Sequence, residues 1–306
     1  MQKKTKKIVV LATGGTIAGF AAQADKPHNY TAGQVGVADL LRGVAHDGGE
    51  RLTEQVAQID SKDMSFAVWQ SLLSRVVHWL AQDDVQGVVI THGTDTLEET
   101  AYFLQTVLHP TKPVAITCAM LPANAPDSDG PGNLKDALAW VQSDASHGVA
   151  VVCAGQIHVG TAVQKSHSQQ RNPFSSTAKT QALADTHCLA VLDVPSVAQV
   201  LACKQWPRVE LVLNHVAADG RMVRALMAHD APDGWVVAGT GNGTLHHDLE
   251  AALLDAHKQG AHVVRASRCA QGGVQSRMAD VLPHTGGLTA VQARVALLLH
   301  LVALRS

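Results

Sequence analysis

Short apolar runs recur along this chain, and segments whose apolar residues repeat about every 3.6 positions separate them. The runs expected as strands lie near 7–13, 87–91, 113–119, 148–153 and 189–194. A strand followed by a helix returns beside its predecessor in parallel, and a parallel sheet needs both faces covered. One intervening helix is marked by Phe66, Trp69, Leu73, Val76 and Leu80, with Ser61 or Asp63 available as its N-cap. A second carries Leu97, Ala101, Leu104 and Leu108, with Glu98 and Glu99 favourably placed in its first turn. A third, with Leu134, Ala137, Leu138 and Val141, follows the loop Pro126 to Gly132. After Val194 the pattern weakens through Pro195, Lys204, Gln205, Trp206 and Pro207. It then resumes with strands at Val209 to Leu213, Trp235 to Ala238 and Val263 to Ala266. The expected end is an amphipathic helix with Val291, Val295, Leu298 and Leu299, capped by Thr289. The expected fold is therefore α/β. A larger N-terminal parallel-sheet domain with helices on both faces (1–194) is followed by a linker (195–207) and a smaller C-terminal α/β domain (208–306).

At 306 residues the chain can bury two cores, and 46% hydrophobic against 16% charged residues fits compact domains. The formal charge of −2 and the scattered basic residues exclude the electrostatic footprint of a nucleic-acid binder. The run Lys3, Lys4, Lys6, Lys7 reads as a solvated arm before the first strand. The apolar run Ile8 to Ala12 is too short for a secretory leader and enters a Gly-rich turn, so it reads as that strand. No stretch approaches the roughly 20 apolar residues that cross a bilayer, so no membrane partner is expected. The expected location is the cytoplasm, with the periplasm as the alternative if a leader has been removed. Cys118, Cys153, Cys188, Cys203 and Cys269 are odd in number and contain no CxxC pair, which argues against disulfides or zinc, and several sit in apolar runs expected in the core. The 17 histidines are dispersed without HExxH spacing, and neither a metal nor an organic cofactor is expected.

In an open parallel sheet, ligands bind beyond the carboxyl ends of the strands, so the residues that follow each strand are the informative ones. Ala12-Thr13-Gly14-Gly15-Thr16 follows the first strand, with glycines that permit a tight turn and expose backbone N–H groups beside the Thr16 hydroxyl. It has neither GxGxxG spacing nor a P-loop lysine. Thr91-His92-Gly93-Thr94-Asp95-Thr96 follows Val88 to Ile90 and precedes the helix that begins at Leu97. One such residue would cap that helix, whereas four hydroxyl or carboxylate groups in six positions suit a reaction site. Lys165, in the polar stretch after Val163, would ordinarily be solvated. It becomes relevant because a hydroxyl nucleophile needs proton acceptors, which a Thr–Asp–Lys set can supply.

The strings ATGGTIAG and THGTDTLEETAYFL resemble the two signature motifs of the bacterial L-asparaginase family, which includes enzymes that also hydrolyse glutamine. The resemblance continues through HNYTAGQVGV, DSKDM, DGPGNLKDAL, GTGNGT and QARVALLL, nearly the whole chain. It implies an amidohydrolase that converts L-asparagine and water to L-aspartate and ammonia through an acyl-enzyme. It also implies a homotetramer built from two intimate dimers. Thr16 matches the family's nucleophile and Tyr30 the lid tyrosine, on a loop of roughly residues 19–33 that closes over substrate. Thr94, Asp95 and Lys165 match the second hydroxyl–carboxylate–lysine set. Whether Tyr30 or Lys165 takes the first proton is left open. The N–H of Thr16 and the Thr94 region would hold the developing oxyanion. Gly15 and Ser61 are implied for the substrate α-carboxylate, Asp95 for the α-ammonium and the Ala119 carbonyl for the leaving amide.

The chain departs from the family pattern at three places. Lys62 stands where periplasmic-type members carry glutamine, and an ammonium turned inward would repel the substrate's α-ammonium. Thr244 replaces an asparagine or serine associated with glutaminase activity. The loop Gln271 to His284 is short and lacks the glutamate that a neighbouring subunit contributes. The expectation is asparagine in preference to glutamine, with glutaminase activity weak. The alternative from another class is a non-catalytic amino-acid sensor on the same fold. It needs hydrogen bonds at these positions but no nucleophile.

Overall fold

The computed structural model describes residues 6–23, 26, 29–45, 49–176, 193–277 and 281–305. It divides into two compact units, Met1–Ser176 and Thr177–Ser306.

The first unit opens with β1 (Lys7–Gly14), a 3-10 turn at Thr16–Ala18 and a small hairpin of β2 (Phe20–Ala21) and β3 (Tyr30–Thr31). Next come α1 (Val37–Leu40), β4 (Arg51–Ile59), a 3-10 turn at Ser61–Asp63 and α2 (Phe66–Leu80). β5 (Val85–Thr91), α3 (Leu97–Leu108), β6 (Val114–Thr117), α4 (Gly130–Gln142) and β7 (Val149–Cys153) continue the alternation. β8 (Gln156–Val159), β9 (Val163–Lys165) and β10 (Phe174–Ser176) complete the unit. The main sheet has the order β4-β1-β5-β6-β7-β8, parallel except for the antiparallel edge pair β7 and β8.

Ile8, Val10 and Ala12 of β1 join Val89, Ala115 and Val152 in a cluster with α1 and with Leu134, Ala137, Leu138 and Val141 of α4. Alternate strand residues face opposite ways. Val9 and Leu11, equally buried, therefore face the other side, where α2 and α3 pack. Register then fixes the site's position, because Ala12 pairs with Thr91 and Thr91 with Thr117. Three strands end level, and their following loops emerge at one edge.

The second unit holds α5 (Val197–Ala202), β11 (Val209–Leu213), α6 (Arg221–His229), β12 (Gly234–Gly239), α7 (His247–Lys258), β13 (His262–Ser267) and α8 (Ala290–Leu304). Its three strands are parallel, with β12 central. Trp235 and Val237 pack against Leu249, Ala252 and Leu253 of α7.

Several expectations change. The N-cap of α2 is Ser65, whose side chain accepts from the Val68 N–H, because Ser61 and Asp63 are used in the preceding 3-10 turn. The terminal helix is capped by Thr289 as expected, in a reciprocal box with Gln292. It is not amphipathic, because Gln292, Ala293, Val295 to Leu299, Leu301 and Val302 are buried. β4 was not legible. It is an edge strand that includes Thr53, Glu54 and Gln55, and Glu54 takes its partners, Arg75 and Trp79, from α2. The strand expected near 189–194 lies mostly outside the described residues, and the stretch expected as a linker carries α5, capped by Ser196. Several cysteines were expected in the core: Cys118 and Cys153 are buried, while Cys203 is half-buried, Cys269 is exposed and Cys188 lies outside the described residues.

Candidate active site

Glycine makes the site because only backbone fits where its loops cross. Gly14 and Gly15 have φ of +106° and +80°, a region that side-chain-bearing residues rarely enter. A Cβ on Gly15 would lie 2.3 Å from the Cα of Gly93, and one on Gly93 would lie 2.5 Å from Ser61 Oγ. The loops after β1, β4 and β5 therefore meet at Gly15, Ser61 and Gly93. Thr16 and Thr94 follow directly and are buried.

Each threonine hydroxyl has a partner supplied by a small hairpin. Thr16 Oγ1 lies 2.7 Å from the phenolic oxygen of Tyr30, and either can donate. Tyr30 sits on β3, paired across to Ala21 of β2. Asn124 holds that hairpin by accepting from the Ala21 N–H at 2.9 Å and donating to the Ala21 carbonyl at 2.7 Å. Thr94 Oγ1 accepts from the Lys165 ammonium at 2.9 Å, and the same ammonium pairs with Asp95 Oδ1 at 2.5 Å. Lys165 lies on β9, bound antiparallel to β10, and not in a loop as its surroundings implied. Its backbone N–H donates to Glu98 at 2.9 Å. Burial raises the Glu98 carboxyl to about 7, against the opposing influence of that N–H.

Among the described residues, the backbone N–H groups of Thr16 and Thr94 have no acceptor. Two buried, unpartnered donors beside two hydroxyls form a suitable receptor for a developing oxyanion. The Gly15 N–H, in contrast, donates to the Ile59 carbonyl at 2.8 Å. That donor is committed to the fold, so Gly15 can serve a carboxylate only through the space it leaves open.

Ser61 Oγ accepts from the Asp95 N–H at 3.2 Å, which leaves its own hydroxyl proton to donate. Lys62 is exposed, and its ammonium is 3.0 Å from both Asp60 and Asp63. Those carboxylates raise its pKa, and they neutralise the charge that would otherwise oppose an α-ammonium. Ala119 is fully buried beyond the end of β6. The Asp129 carboxylate accepts the N–H groups of Met120 and Leu121, and Asn133 donates to the Cys118 carbonyl at 3.0 Å. Asp129 and Asn133 thereby clamp the peptides around Ala119. Thr244 belongs to the second unit, where its hydroxyl donates to the Thr240 carbonyl at 3.0 Å. A possible donor group for a metal, His246, His247 and Asp248, begins α7, although the His246 ring already accepts from the Asp248 N–H.

Two family profiles match the chain. "Asparaginase, N-terminal" covers residues 7–189, and "Glutaminase/Asparaginase C-terminal domain" covers residues 208–304. The L-asparaginase 2 of Escherichia coli strain K12 is 37% identical over 285 residues, which span 87% of this chain and 78% of that protein. The glutaminase-asparaginase of Pseudomonas fluorescens biotype A is 34% identical over 293 residues, 92% of this chain and 81% of that one. Among solved structures, the probable cytoplasmic L-asparaginase from Campylobacter jejuni superposes with a TM-score of 0.82 at 32% identity, covering 97% of this chain and 95% of that chain. With both profiles matched, relatives above 30% identity over most of the sequence, and the same fold throughout, this chain belongs to the asparaginase family.

Proposed function

We infer that this protein hydrolyses the side-chain amide of L-asparagine to L-aspartate and ammonia, with Thr16 as nucleophile. The 2.7 Å contact between Thr16 Oγ1 and Tyr30 carries the assignment of the nucleophile. Thr16 Oγ attacks the amide carbon, and the carbonyl oxygen becomes an anion held by the N–H groups of Thr16 and Thr94. The hydroxyl proton moves to the Tyr30 oxygen as the phenolic proton of Tyr30 moves on to the departing nitrogen. Collapse breaks the C–N bond, releases ammonia and leaves an ester on Thr16. Lys165 is not the first acceptor, because an ammonium bonded to Thr94 and Asp95 has no lone pair to offer. Its part comes with water, which adds to the ester beside the Thr94–Asp95–Lys165 set. Expulsion of Thr16 Oγ, which takes up the proton that the water gives up, then yields aspartate.

Ser61 donates to the α-carboxylate, the unengaged oxygen of Asp95 receives the α-ammonium, and the Ala119 carbonyl accepts from the amide. Asparagine is preferred to glutamine. We also propose a homotetramer in the cytoplasm, with 195–207 joining the two domains. The location is supported by the likeness to the Campylobacter jejuni protein. Among the described residues, no helix is long and apolar enough to cross a membrane. No observation favours the sensor reading.

Ammonia release from L-asparagine and L-glutamine by the parent and by Thr16→Ala tests the assignment. Turnover of asparagine that the substitution abolishes is expected. A folded parent inert on both substrates would overturn it.

A further inference from the structure

His92 is fully buried, one residue after β5, and takes part in a hydrogen-bond chain whose direction can be worked out. Its Nδ1 lies 2.7 Å from the Gly93 carbonyl oxygen, which can only accept, so Nδ1 carries a proton. Its Nε2 lies 3.0 Å from Thr100 Oγ1, and that oxygen accepts from the indole N–H of Trp69 at 2.9 Å. The consistent assignment runs from Trp69 N–H to Thr100 oxygen, from Thr100 O–H to Nε2, and from Nδ1–H to the Gly93 carbonyl. Each donor has one acceptor, and the imidazole is neutral. Burial acts in the same direction, pushing the imidazole pKa down to about 4.

The Gly93 carbonyl shares its peptide plane with the Thr94 N–H, and in a trans peptide the two point in opposite directions. With the carbonyl held by the buried ring, the N–H is turned away from that ring. It is also one of the two buried N–H groups without an acceptor among the described residues. The first loop follows the same logic. The Gly15 carbonyl accepts from Gly33 and Ala18, and the Thr16 N–H of that peptide is the other unpartnered donor.

We propose that His92 is a positioning residue for the reaction: as the Nδ1–H tautomer it holds the Gly93 carbonyl, and so aims the Thr94 N–H at the oxyanion. This rests on the hydrolase reading above, and it gives the buried histidine of the second loop a task that neither loop shape nor proton transfer requires. Trp69 and Thr100 act one step further away, by selecting the tautomer.

His92→Asn and His92→Gln separate this role from simple packing. The asparagine amide nitrogen falls near the position of Nδ1, and the glutamine amide nitrogen near that of Nε2. Steady-state kinetics on L-asparagine should show His92→Asn within about tenfold of the parent kcat. His92→Gln and His92→Ala should lose about 10²- to 10³-fold in kcat, the range for an oxyanion donor, with KM within about threefold. Equal losses in the Asn and Gln variants, a better Gln variant, or an effect confined to KM would overturn the proposal. A tautomer-resolved ¹H–¹⁵N spectrum of the unsubstituted protein provides a readout independent of activity. A proton on Nδ1 at neutral pH is expected, and one on Nε2 contradicts the proposal even if every variant folds poorly. A parent that folds but releases no ammonia would refute the hydrolase reading and this role with it. An active parent whose three variants match it would refute only the role of His92.

Discussion

The two threonine loops are built alike and held differently. Each leaves a strand of the same sheet, turns through glycine, and presents a buried hydroxyl to a side chain from a two-stranded hairpin. On the Thr16 side, that side chain is Tyr30, 37% exposed, beside Phe20 at 51%. On the Thr94 side it is Lys165, with 19% of its side chain exposed, anchored through Asp95 and Glu98, and the Gly93 carbonyl of the Thr94 loop is bonded to buried His92. A half that exchanges with solvent suits admitting substrate and relaying one proton. A half fixed by charge and buried hydrogen bonds suits holding an oxyanion and a water in constant geometry.

The comparison predicts unequal costs. Thr16→Ala should produce the largest loss, about 10⁴-fold or more in kcat, because it removes the proposed nucleophile. Lys165→Met should cost about 10²- to 10⁴-fold, and Tyr30→Phe about 10²-fold, in single-turnover rates. If Tyr30→Phe outweighed Lys165→Met in the release of product while sparing ester formation, the assignment of the two halves would be reversed.

Glu98 sharpens the contrast through pH. Its folded pKa of about 7 stands above the ordinary value of 4.5, so between those limits the native state binds more protons than the unfolded chain. Stability contributed at this site is therefore greatest below pH 4.5 and declines as the pH rises through 7. Glu99 and Lys165 are the neighbouring charges, and they act in opposite directions. Glu98→Gln should be less sensitive than the parent over this range. The gap between the two should change by about 1–3 kcal/mol from pH 5 to pH 8, read by denaturant unfolding. No change in that gap would show that Glu98 is not buried as described. The smallest effect expected is that of Lys62→Gln, a KM for asparagine within about threefold of the parent, since the exposed ammonium is already paired with Asp60 and Asp63. A tenfold fall in KM would mean that the lysine does face the substrate.

The loops that carry this contrast were legible because apolar strands ending in glycine and threonine mark the edge of a parallel sheet, and the family strings then assigned their roles. The hairpin that delivers Lys165 was not legible, since three residues of strand leave no periodicity to detect. Nor was β4, whose Glu54 takes its partners from α2. The terminal helix misled for the opposite reason. Its apolar stripe was read as one face, but Ala293 and Ala296 with buried Gln292 close the remaining sides. The work of Asp129, Asn133 and His92 depends on backbone groups that lie on another loop or on the next residue, which no spacing rule records.

Thr16, and not Thr94, is the residue proposed to carry the ester. The direct measurement is rapid acid quench during turnover of asparagine, followed by peptide mapping by mass spectrometry. An aspartyl ester is expected on the peptide that contains Thr16, absent in Thr16→Ala. An ester on the peptide that contains Thr94 would contradict it.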